Sequence, residues 1–511
     1  MNDESILKRI TVHPAVTPII LMWRKSPLPL IMFLALLFRL FAVVFAKGYG
    51  MHDDHFGVID IAQRWLDGTE HPYSKGQGWL SPLYPWLHYL LFGLLQKLGM
   101  FDPQAKMYVV RFFHALYSML TVYFGYKTVL LVSDENKAKL AGLLLAVLWP
   151  FPFMSVRNLV EFACVPPLVI GTYLLVRNPA RKHIWAPALS GACFGLAFAI
   201  RFQTLSMAVM IILVLLVIMK IRVAAAFIAG LFVSAFCFLG IPDWAGYGIP
   251  FISFWNYFFY NQSAAYAYTT GPVYQYLGLI AGVLIPPMSL LLLFGFGRTW
   301  KKYALLFWPA LAFFVLHSFF PNKQERFILP ILPFIIMGCV IGWQEFAERS
   351  RFCISRKPLL RGLWIWFWVV NSLLLLLATF TYSKKSRVET LSFLSHEAGL
   401  RAVLIETTDA TAPQMPLFYL GRNQVPLYYV TATADTDSLR AQIESRGGIT
   451  PNRVVFLTKN NLDKRVKRLE PLLPALIYEA TVSPSIADAL LYFLNPKHNV
   501  NQTSVIYRAG N

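Results

Sequence analysis

Long apolar segments recur along this chain and limit what it can fold into. One of them, LPLIMFLALLFRLFAVVFAK at positions 28–47, contains a single charged residue before its final lysine. About 20 such residues cross a bilayer as a helix. Only 14% of the 511 residues are charged, against about 25% in soluble domains. The sequence therefore predicts a polytopic α-helical membrane protein, and the formal charge of +20 is assigned to short connecting segments rather than to a nucleic-acid partner.

Apolar length predicts about eleven transmembrane helices and a membrane domain that covers residues 1–382. With the N-terminus inside, lysine and arginine concentrate in the inner connecting segments, as the positive-inside rule requires. The outer segments are then mainly 48–105, 243–272, 321–326 and 383–511. The predicted spans are 28–47, 106–130, 138–155, 159–176, 184–200, 203–219, 223–242, 273–296, 303–320, 327–346 and 363–382.

The apolar stretch Leu83–Leu95 does not fit this pattern easily. It has thirteen residues and contains Pro85 and His88, so we expect a helix that lies on the outer membrane surface. If it crossed the membrane, every later segment would change side and the charge bias would invert.

Beyond Tyr382 the composition changes to that of a small soluble domain, residues 383–511. Four short segments resemble strands and two intervening segments resemble helices, which predicts an α/β domain with a mostly parallel sheet. No glycine-rich phosphate loop is present, so no nucleotide is assigned. The predicted strands are RAVLIET, VPLYYVTA, RVVFLTK and ALIYEATV, and the predicted helices are DSLRAQIESRG and NLDKRVKRLEPLL.

The first outer segment, 48–105, begins with a cluster of ionisable residues. His52, Asp53, Asp54 and His55 are consecutive and follow closely on the first span. Adjacent aspartates in such a segment are often merely solvated. A divalent metal ion on these four side chains is possible but not favoured, because ligands so close in sequence give poor geometry.

Two short outer turns add further charges. Arg157 and Glu161 are four residues apart, so one helix face could carry both, either as a structural ion pair or as part of a site. Arg201 stands at the next span boundary, where a basic residue could equally be a membrane anchor.

The remaining polar groups lie in the 243–272 segment and in HSFFPNKQERF at positions 317–327. The first is rich in asparagine and tyrosine and contains a candidate substrate-binding residue, Asn261. Another candidate, Tyr274, follows the segment closely. In the second, Lys323 and Arg326 would share a helix face, and Glu325 could hold one of them in place. A pair of anchors at the membrane edge is the alternative.

Carboxylates and cations on one membrane face suit transfer of a group from a lipid phosphate. A carboxylate can accept the proton of an attacking hydroxyl, and Lys323, Arg326 and Arg201 could stabilise charge on a phosphate leaving group. Aromatic surroundings could hold a polyprenyl tail.

Six stretches, in order, resemble motifs of the dolichyl-phosphate-mannose-dependent mannosyltransferases, glycosyltransferase family twenty-two. They are MHDDHF, SPLYPWL, VRNLVEF, IRFQT, FFYNQSAAYAYTTGPVYQYL and HSFFPNKQERFILPILPF. The resemblance implies a GT-C fold, an inverting mechanism, a polyprenyl-phosphate-linked sugar donor, and a glycan or lipid-linked acceptor. It places Asp53 at the family's aspartate, which implies the general base, with Asp54 as a less critical neighbour.

The chain also departs from the family pattern. Asn322 stands where the family has histidine and Gln324 where it has glutamate. In the first motif, Met51 replaces a histidine, His52 a proline and Asp54 a glutamate. These changes leave the reaction class unaltered and leave the sugar and the acceptor open.

Two other functions remain possible at this point: a transporter or flippase of lipid-linked saccharides, and a scaffold for other membrane enzymes. A transporter would be expected to show internal repeats or broken helices with polar midplane residues. The five cysteines lie in or near spans, and the outer domain has none, so a bacterial inner membrane is expected, with the endoplasmic reticulum as the alternative.

Overall fold

The computed structural model describes residues 17–50, 54–73, 80–177, 184–218, 220–407, 415–422, 424–431, 436–445, 447–496 and 502–510. Up to Thr379 the described chain is helical. The α-helices of this part are Thr17–Lys25, Pro27–Phe45, Asp54–Leu66, Leu83–Lys97, Pro103–Val132, Glu135–Val147, Pro150–Met154, Val160–Ala163, Val165–Arg177, Trp185–Ile200, Leu205–Val217, Ile221–Ala235, Ile241–Tyr247, Ile252–Ser263, Gln275–Val283, Met288–Gly297, Ala304–Phe319, Leu332–Arg349, Arg351–Ser355 and Lys357–Thr379. Short 3₁₀ turns span Phe202–Thr204 and Glu325–Ile331, and a π turn spans Phe236–Gly240.

The helices confirm an integral, multi-pass membrane protein. Within the described residues, six helices are long and apolar enough to cross a membrane. A seventh candidate is a pair, Gln275–Val283 and Met288–Gly297, bent by 116° at two prolines that cannot continue the helical hydrogen-bond ladder. Three shorter apolar helices coincide with further predicted spans, and the total of eleven stays a prediction. Leu83–Lys97 is not among these candidates.

Helix starts in this part follow local sequence signals. The Asp102 side chain accepts a hydrogen bond from Ala105 N at 2.7 Å, and Pro103 occupies the first turn. Asp134 does the same for Lys137 N at 3.0 Å. A capping carboxylate accepts a hydrogen bond from a free N–H, and its negative charge interacts favourably with the positive end of the helix dipole.

The one charged residue within the first span, Arg39, ties three helices together. Its Nε donates to Ser118 Oγ at 2.8 Å, and Nη1 donates to Ala146 O at 3.0 Å. Nη1 also reaches Ala35 O, and Nη2 reaches Leu145 O. The side chain is 1% exposed, so these contacts replace the hydration of its charge. Ala146 and Leu145 lie in the last turn of Glu135–Val147, where a cation complements the carbonyl end of the helix.

The C-terminal part is a small α/β domain, as predicted. Its strands are β1 Val403–Thr407, β2 Leu427–Thr431, β3 Arg453–Phe456, β4 Ile477–Val482 and β5 Ser504–Arg508. They form one sheet with the strand order β2-β1-β3-β5-β4. β1 pairs parallel with β2 and β3, but β5 pairs antiparallel with both β3 and β4. The mostly parallel sheet was therefore wrong for its second half, because the chain returns as an unpredicted last strand between β3 and β4. The α-helices of the domain are Lys385–Ser395, Thr436–Ser445, Leu462–Leu469 and Ile486–Leu494.

This domain packs against the segment 48–105, between the first two candidate spans. Phe418 and Tyr419, in the turn Leu417–Leu420, join an apolar cluster with Phe56 and Phe92 of the helices Asp54–Leu66 and Leu83–Lys97. The Phe418 amide donates to Asp60 Oδ1. The fold thus places a turn of the C-terminal domain directly on the helix that follows the first ionisable cluster.

Candidate functional site

Several predicted polar segments meet at one end of the helix bundle. Arg157 Nη1 donates to Gly48 O at 2.6 Å and to Lys47 O at 3.1 Å, just after the first span. Ser383 N donates to Lys47 O at 3.1 Å, just after the last span. Arg157 therefore fixes the exit points of two spans. It lies ahead of the helix Val160–Ala163, so the predicted shared helix face with Glu161 was wrong.

The centre of the site is the carboxylate of Glu161, which is 0% exposed. Its Oε1 is 2.9 Å from Arg201 Nη1 and 3.4 Å from Arg326 Nη1. The guanidinium carbons of both arginines lie 5.1 and 5.2 Å from the centre of the Phe327 ring, within the range of cation–π attraction. Two cations from separate segments thus share one buried anion and one ring.

This cluster has a donor edge that the described residues do not use. Within the part of the chain that the structure describes, Arg201 Nε and Nη2 are buried and have no hydrogen-bond partner. These two nitrogens lie on the same edge of the guanidinium, which can bind two oxygens of one phosphate or carboxylate.

Lys323 has a different environment from the one predicted. Its ammonium donates to His317 O and Ser318 O, each at 2.8 Å, and to Phe320 O. It therefore closes the carbonyl end of the helix Ala304–Phe319, and burial lowers its pKa. It also precedes the turn Glu325–Ile331, so Lys323 and Arg326 do not share one helical turn as expected. A donor-phosphate contact of Lys323 stays a prediction.

The 243–272 segment is joined to the HSFFPNKQERF stretch by backbone contacts. Lys323 N donates to Thr269 O at 2.9 Å, and Thr270 and Asn322 form an isolated antiparallel bridge. A little further on, the Tyr276 hydroxyl donates to Gln324 O at 3.1 Å. Gln324 Oε1 in turn accepts from Arg326 Nε at 2.8 Å. Gln324, which departs from the family pattern, therefore orients the second arginine.

Of the first ionisable cluster, His55 is bound by a residue close to Glu161. Asn158 Nδ2 donates to the carbonyl of His55, and Asn158 is three residues before Glu161. His55 is 1% exposed, and burial, then the charge of Arg157, lowers its pKa well below the ordinary value. Its imidazole is therefore neutral. His52 and Asp53 lie outside the described residues, and Asp54 is described only as the first residue of its helix.

The remaining predicted residues lie at the edge of the site. Asn261 Nδ2 donates to Tyr257 O at 2.8 Å, and Tyr274 and Glu325 are exposed. A carboxylate that the structure places against Arg326 is Glu161, whereas Glu325, which was expected to hold either Lys323 or Arg326, is exposed. Asn261 and Tyr274 as substrate-binding residues stay predictions.

The described side chains do not indicate a metal site. Among the described residues, no group of three or more His, Cys, Asp or Glu side chains is arranged to hold a metal ion. This finding does not test the metal site considered at Asp53 and Asp54, because Asp53 and the Asp54 side chain lie outside the described residues.

Sequence reasoning missed several residues that build the site. Asn158, Tyr276 and Phe327 lie within the quoted motifs. Each is a polar or aromatic residue close in sequence to a predicted site residue, and that was the available signal. Asp60 and Tyr419 had no such signal. Tyr419 is fully buried, and burial raises its pKa to about 12, against the lowering effect of the charges of Arg111 and Arg157. The C-terminal domain therefore adds a phenol close to the two exit points that Arg157 holds.

Comparison with protein families places these residues in a known group. The model of the Alg9-like mannosyltransferase family matches residues 30–401, which contain all six motifs. No curated protein sequence gives a match to this chain.

Solved structures share the fold at low sequence identity. ArnT from Cupriavidus metallidurans, bound to undecaprenyl phosphate, is 13% identical with a TM-score of 0.59, and the match covers 94% of this chain and 98% of that one. The Archaeoglobus fulgidus oligosaccharyltransferase in complex with Zn and sulfate is 12% identical with a TM-score of 0.52, covering 89% and 72%. AglB from the same organism, in complex with an inhibitory peptide and a dolichol-phosphate, is 11% identical with a TM-score of 0.52, covering 85% and 70%. These matches confirm the predicted GT-C type of membrane fold.

Proposed function

Since the chain belongs to the Alg9-like mannosyltransferase family and is thus a membrane glycosyltransferase, we propose that it transfers mannose from a polyprenyl-phosphate donor to a hydroxyl group. The acceptor would be a lipid-linked glycan or another glycan. The transfer would invert the anomeric centre and occur on the outer or lumenal side of the membrane. Structures with the same fold contain undecaprenyl phosphate or dolichol-phosphate, which supports a donor of this class.

The observation that carries the proposal is the open edge of Arg201. Its Nε and Nη2 are buried and have no partner among the described residues, while Nη1 is held by Glu161 at 2.9 Å. An unsatisfied buried donor costs about 1–3 kcal/mol. A phosphate bound along this edge would remove that cost and would be held by two parallel hydrogen bonds.

The charge at the cluster fits the change that the donor undergoes. A polyprenyl-phosphate sugar carries one negative charge, and the released polyprenyl phosphate carries up to two. Arg201 and Arg326, both held beside Glu161, would face the phosphate as this charge appears. As the sugar–phosphate bond breaks, the growing charge is stabilised by Arg201 and Arg326 in a place shielded from water.

The acceptor hydroxyl needs a base, and we assign this role to Asp53, with Asp54 as its less critical neighbour. Asp53 is two residues before His55, whose carbonyl is bound by Asn158. Asn158 is in turn three residues before Glu161, and this connection of His55 to the turn that carries Glu161 supports the assignment. A base on one side of the sugar and the phosphate clamp on the other would give inversion.

Donor binding and turnover of purified full-length protein test the proposal. Polyprenyl-phosphate mannose and glucose would be offered with lipid-linked acceptors, and Arg201→Lys and Arg326→Lys compared with the parent. Each variant should lose about 10²–10³ in turnover, because lysine cannot reproduce the two-pronged contact. Arg39→Lys is the matched control, since Arg39 is a buried arginine that holds helices rather than the site. Asp53→Asn should lose about 10²–10⁴ in turnover with donor binding retained.

Two results would overturn the proposal. One is normal donor affinity and turnover in both site variants. The other is protein that moves lipid-linked saccharide across vesicles without forming a glycosidic bond, which would favour a transporter.

The side of the membrane has its own test. In a background without native cysteines, Thr69→Cys in the first outer segment and Ser445→Cys in the C-terminal domain, both exposed positions, would be treated with an impermeant thiol reagent in intact cells. Labelling of both supports the outer face, and protection of both places the site inside.

A further inference from the structure

The helix Ile486–Leu494 of the C-terminal domain is apolar and exposed. Ile486 is 88% and Phe493 81% exposed, and Leu494 is 67% exposed. Leu490, Leu491 and Tyr492 are exposed as well. Six of the nine residues of this helix therefore present large apolar side chains outward, which a domain surrounded only by water would rarely retain.

The start of this helix is attached to the end of the last membrane helix. Asp488 Oδ1 accepts from Lys384 N at 2.9 Å, and Oδ2 accepts from Lys385 N at 3.1 Å. Both lysines follow closely on Thr379, where the last candidate span ends. Ser485 and Asp488 also form a capping box, so the first turn is rigidly defined.

The attachment point lies at the level where spans leave the membrane. Ser383, one residue before Lys384, pairs with Gly48 beyond the end of the first span. Phe380 packs on Phe41 and Phe45 of that span, with ring centres 5.9 and 5.0 Å away, and all three are partly exposed on the outer surface of the bundle. Nine helical residues extend about 13 Å, so the whole helix remains close to this level.

We propose that Ile486–Leu494 is an interfacial helix whose apolar side chains are covered by the lipid leaflet on the C-terminal domain's side of the membrane. Lys384 and Lys385, whose backbone amides bind Asp488, bring two basic residues to the start of the helix, and basic side chains complement lipid phosphates. Interfacial helices sink about 5–10 Å into the boundary between headgroups and acyl chains. The domain is then held to the membrane at a point separate from its contact with the first outer segment.

Lipid-attached quenchers can test this in full-length protein. The native cysteines would be replaced by alanine, Phe493→Cys would be labelled with an environment-sensitive dye, and the protein placed in phosphatidylcholine nanodiscs that contain spin-labelled lipids. Ser445→Cys is the matched control. The helix that ends at Ser445 packs on β2, at the sheet edge opposite β4, and five strands spaced about 4.8 Å apart separate the two edges by about 19 Å.

The dye at position 493 should emit at shorter wavelength than the control and be quenched at least twofold more by the spin-labelled lipid, with little quenching by aqueous iodide. Equal quenching of the two positions by lipid, or strong quenching at 493 by iodide, would overturn the proposal. Crosslinking between copies through position 493, with no lipid quenching, would also overturn it and assign the surface to a second copy of the chain. Unchanged melting temperature of both labelled variants shows that each result reports a folded protein.

Discussion

Asp60 lies where the helix Asp54–Leu66 meets the C-terminal domain, and its ionisation should oppose folding near neutral pH. The side chain is 6% exposed, and its Oδ1 accepts from Phe418 N. Burial raises the pKa of this carboxyl from 3.8 to about 7, although the Phe418 amide and Arg64 lower it. Asp60→Asn keeps an oxygen for the amide and removes the charge.

The size of the effect follows from this pKa difference. One pH unit corresponds to about 1.4 kcal/mol. The folded pKa is the higher one, so the unfolded chain ionises first and the parent loses stability as pH rises from about 4 to about 7. Above pH 7 both states are ionised and the loss stays level, at most about 4 kcal/mol. The free energy of unfolding of Asp60→Asn should therefore exceed that of the parent increasingly between pH 5 and 7 and by a constant amount above.

Thermal unfolding of full-length protein in detergent at pH 5, 6, 7 and 8 measures this difference. Glu444→Gln is the control, because Glu444 is an exposed carboxylate of the C-terminal domain, and the stability of this variant should follow the parent within about 0.5 kcal/mol. Amide exchange at Phe418, corrected for the intrinsic rate, should be slower in Asp60→Asn than in the parent at pH 8. A stability difference that does not change with pH, or an asparagine variant less stable than the parent at pH 8, would refute the reasoning.

Other substitutions test the rest of the site. Glu161→Gln removes the buried carboxylate that Arg201 and Arg326 share, so it should cost about 3–5 kcal/mol, and added polyprenyl phosphate should raise its melting temperature more than that of the parent; equal shifts would contradict this. Gly48→Ala should lower the melting temperature and turnover together, because φ is +76° and a Cβ would collide with Ser383 O; parent-like turnover would be the opposing result. Lys323→Gln should lower thermal stability by about 1.5–3 kcal/mol while changing donor affinity less than Arg326→Lys does, and a reversed order would return Lys323 to the phosphate site.

Sequence patterns determined the architecture because the forces involved are local or depend on length. A segment in lipid must satisfy its own backbone hydrogen bonds, so each long apolar run predicted a helix wherever it lay. Four of the five strands of the C-terminal domain were found for a similar reason, since strands are short runs rich in β-branched and aromatic residues bounded by turns. The fifth, Ser504–Arg508, was missed, and its position between β3 and β4 reversed half of the expected sheet pairing.

The members of the site were also largely visible in the sequence, but their partners were not. Glu161, Arg201 and Arg326 were all predicted site residues. Nearness along the chain suggested Arg157 as the partner of Glu161 and Glu325 as that of Lys323 or Arg326, whereas the structure pairs Glu161 with Arg201 and Arg326. An ion pair forms where helix packing brings two charges within about 4 Å in a dry place, and chain separation carries little information about that.

The sequence by itself thus determined that the chain spans a membrane many times and carries carboxylates and arginines suited to a phosphate-linked sugar. Only the tertiary structure decided that two donors of Arg201 have no partner among the described residues. It also decided that Lys323 binds the carbonyl end of a helix and that Asp60 accepts a hydrogen bond from the Phe418 amide. Each of these outcomes depends on which carbonyl, ring or carboxylate happens to lie within hydrogen-bond distance. That distance is set by how the helices and the C-terminal domain pack together, because a buried polar group takes whatever partner packing provides.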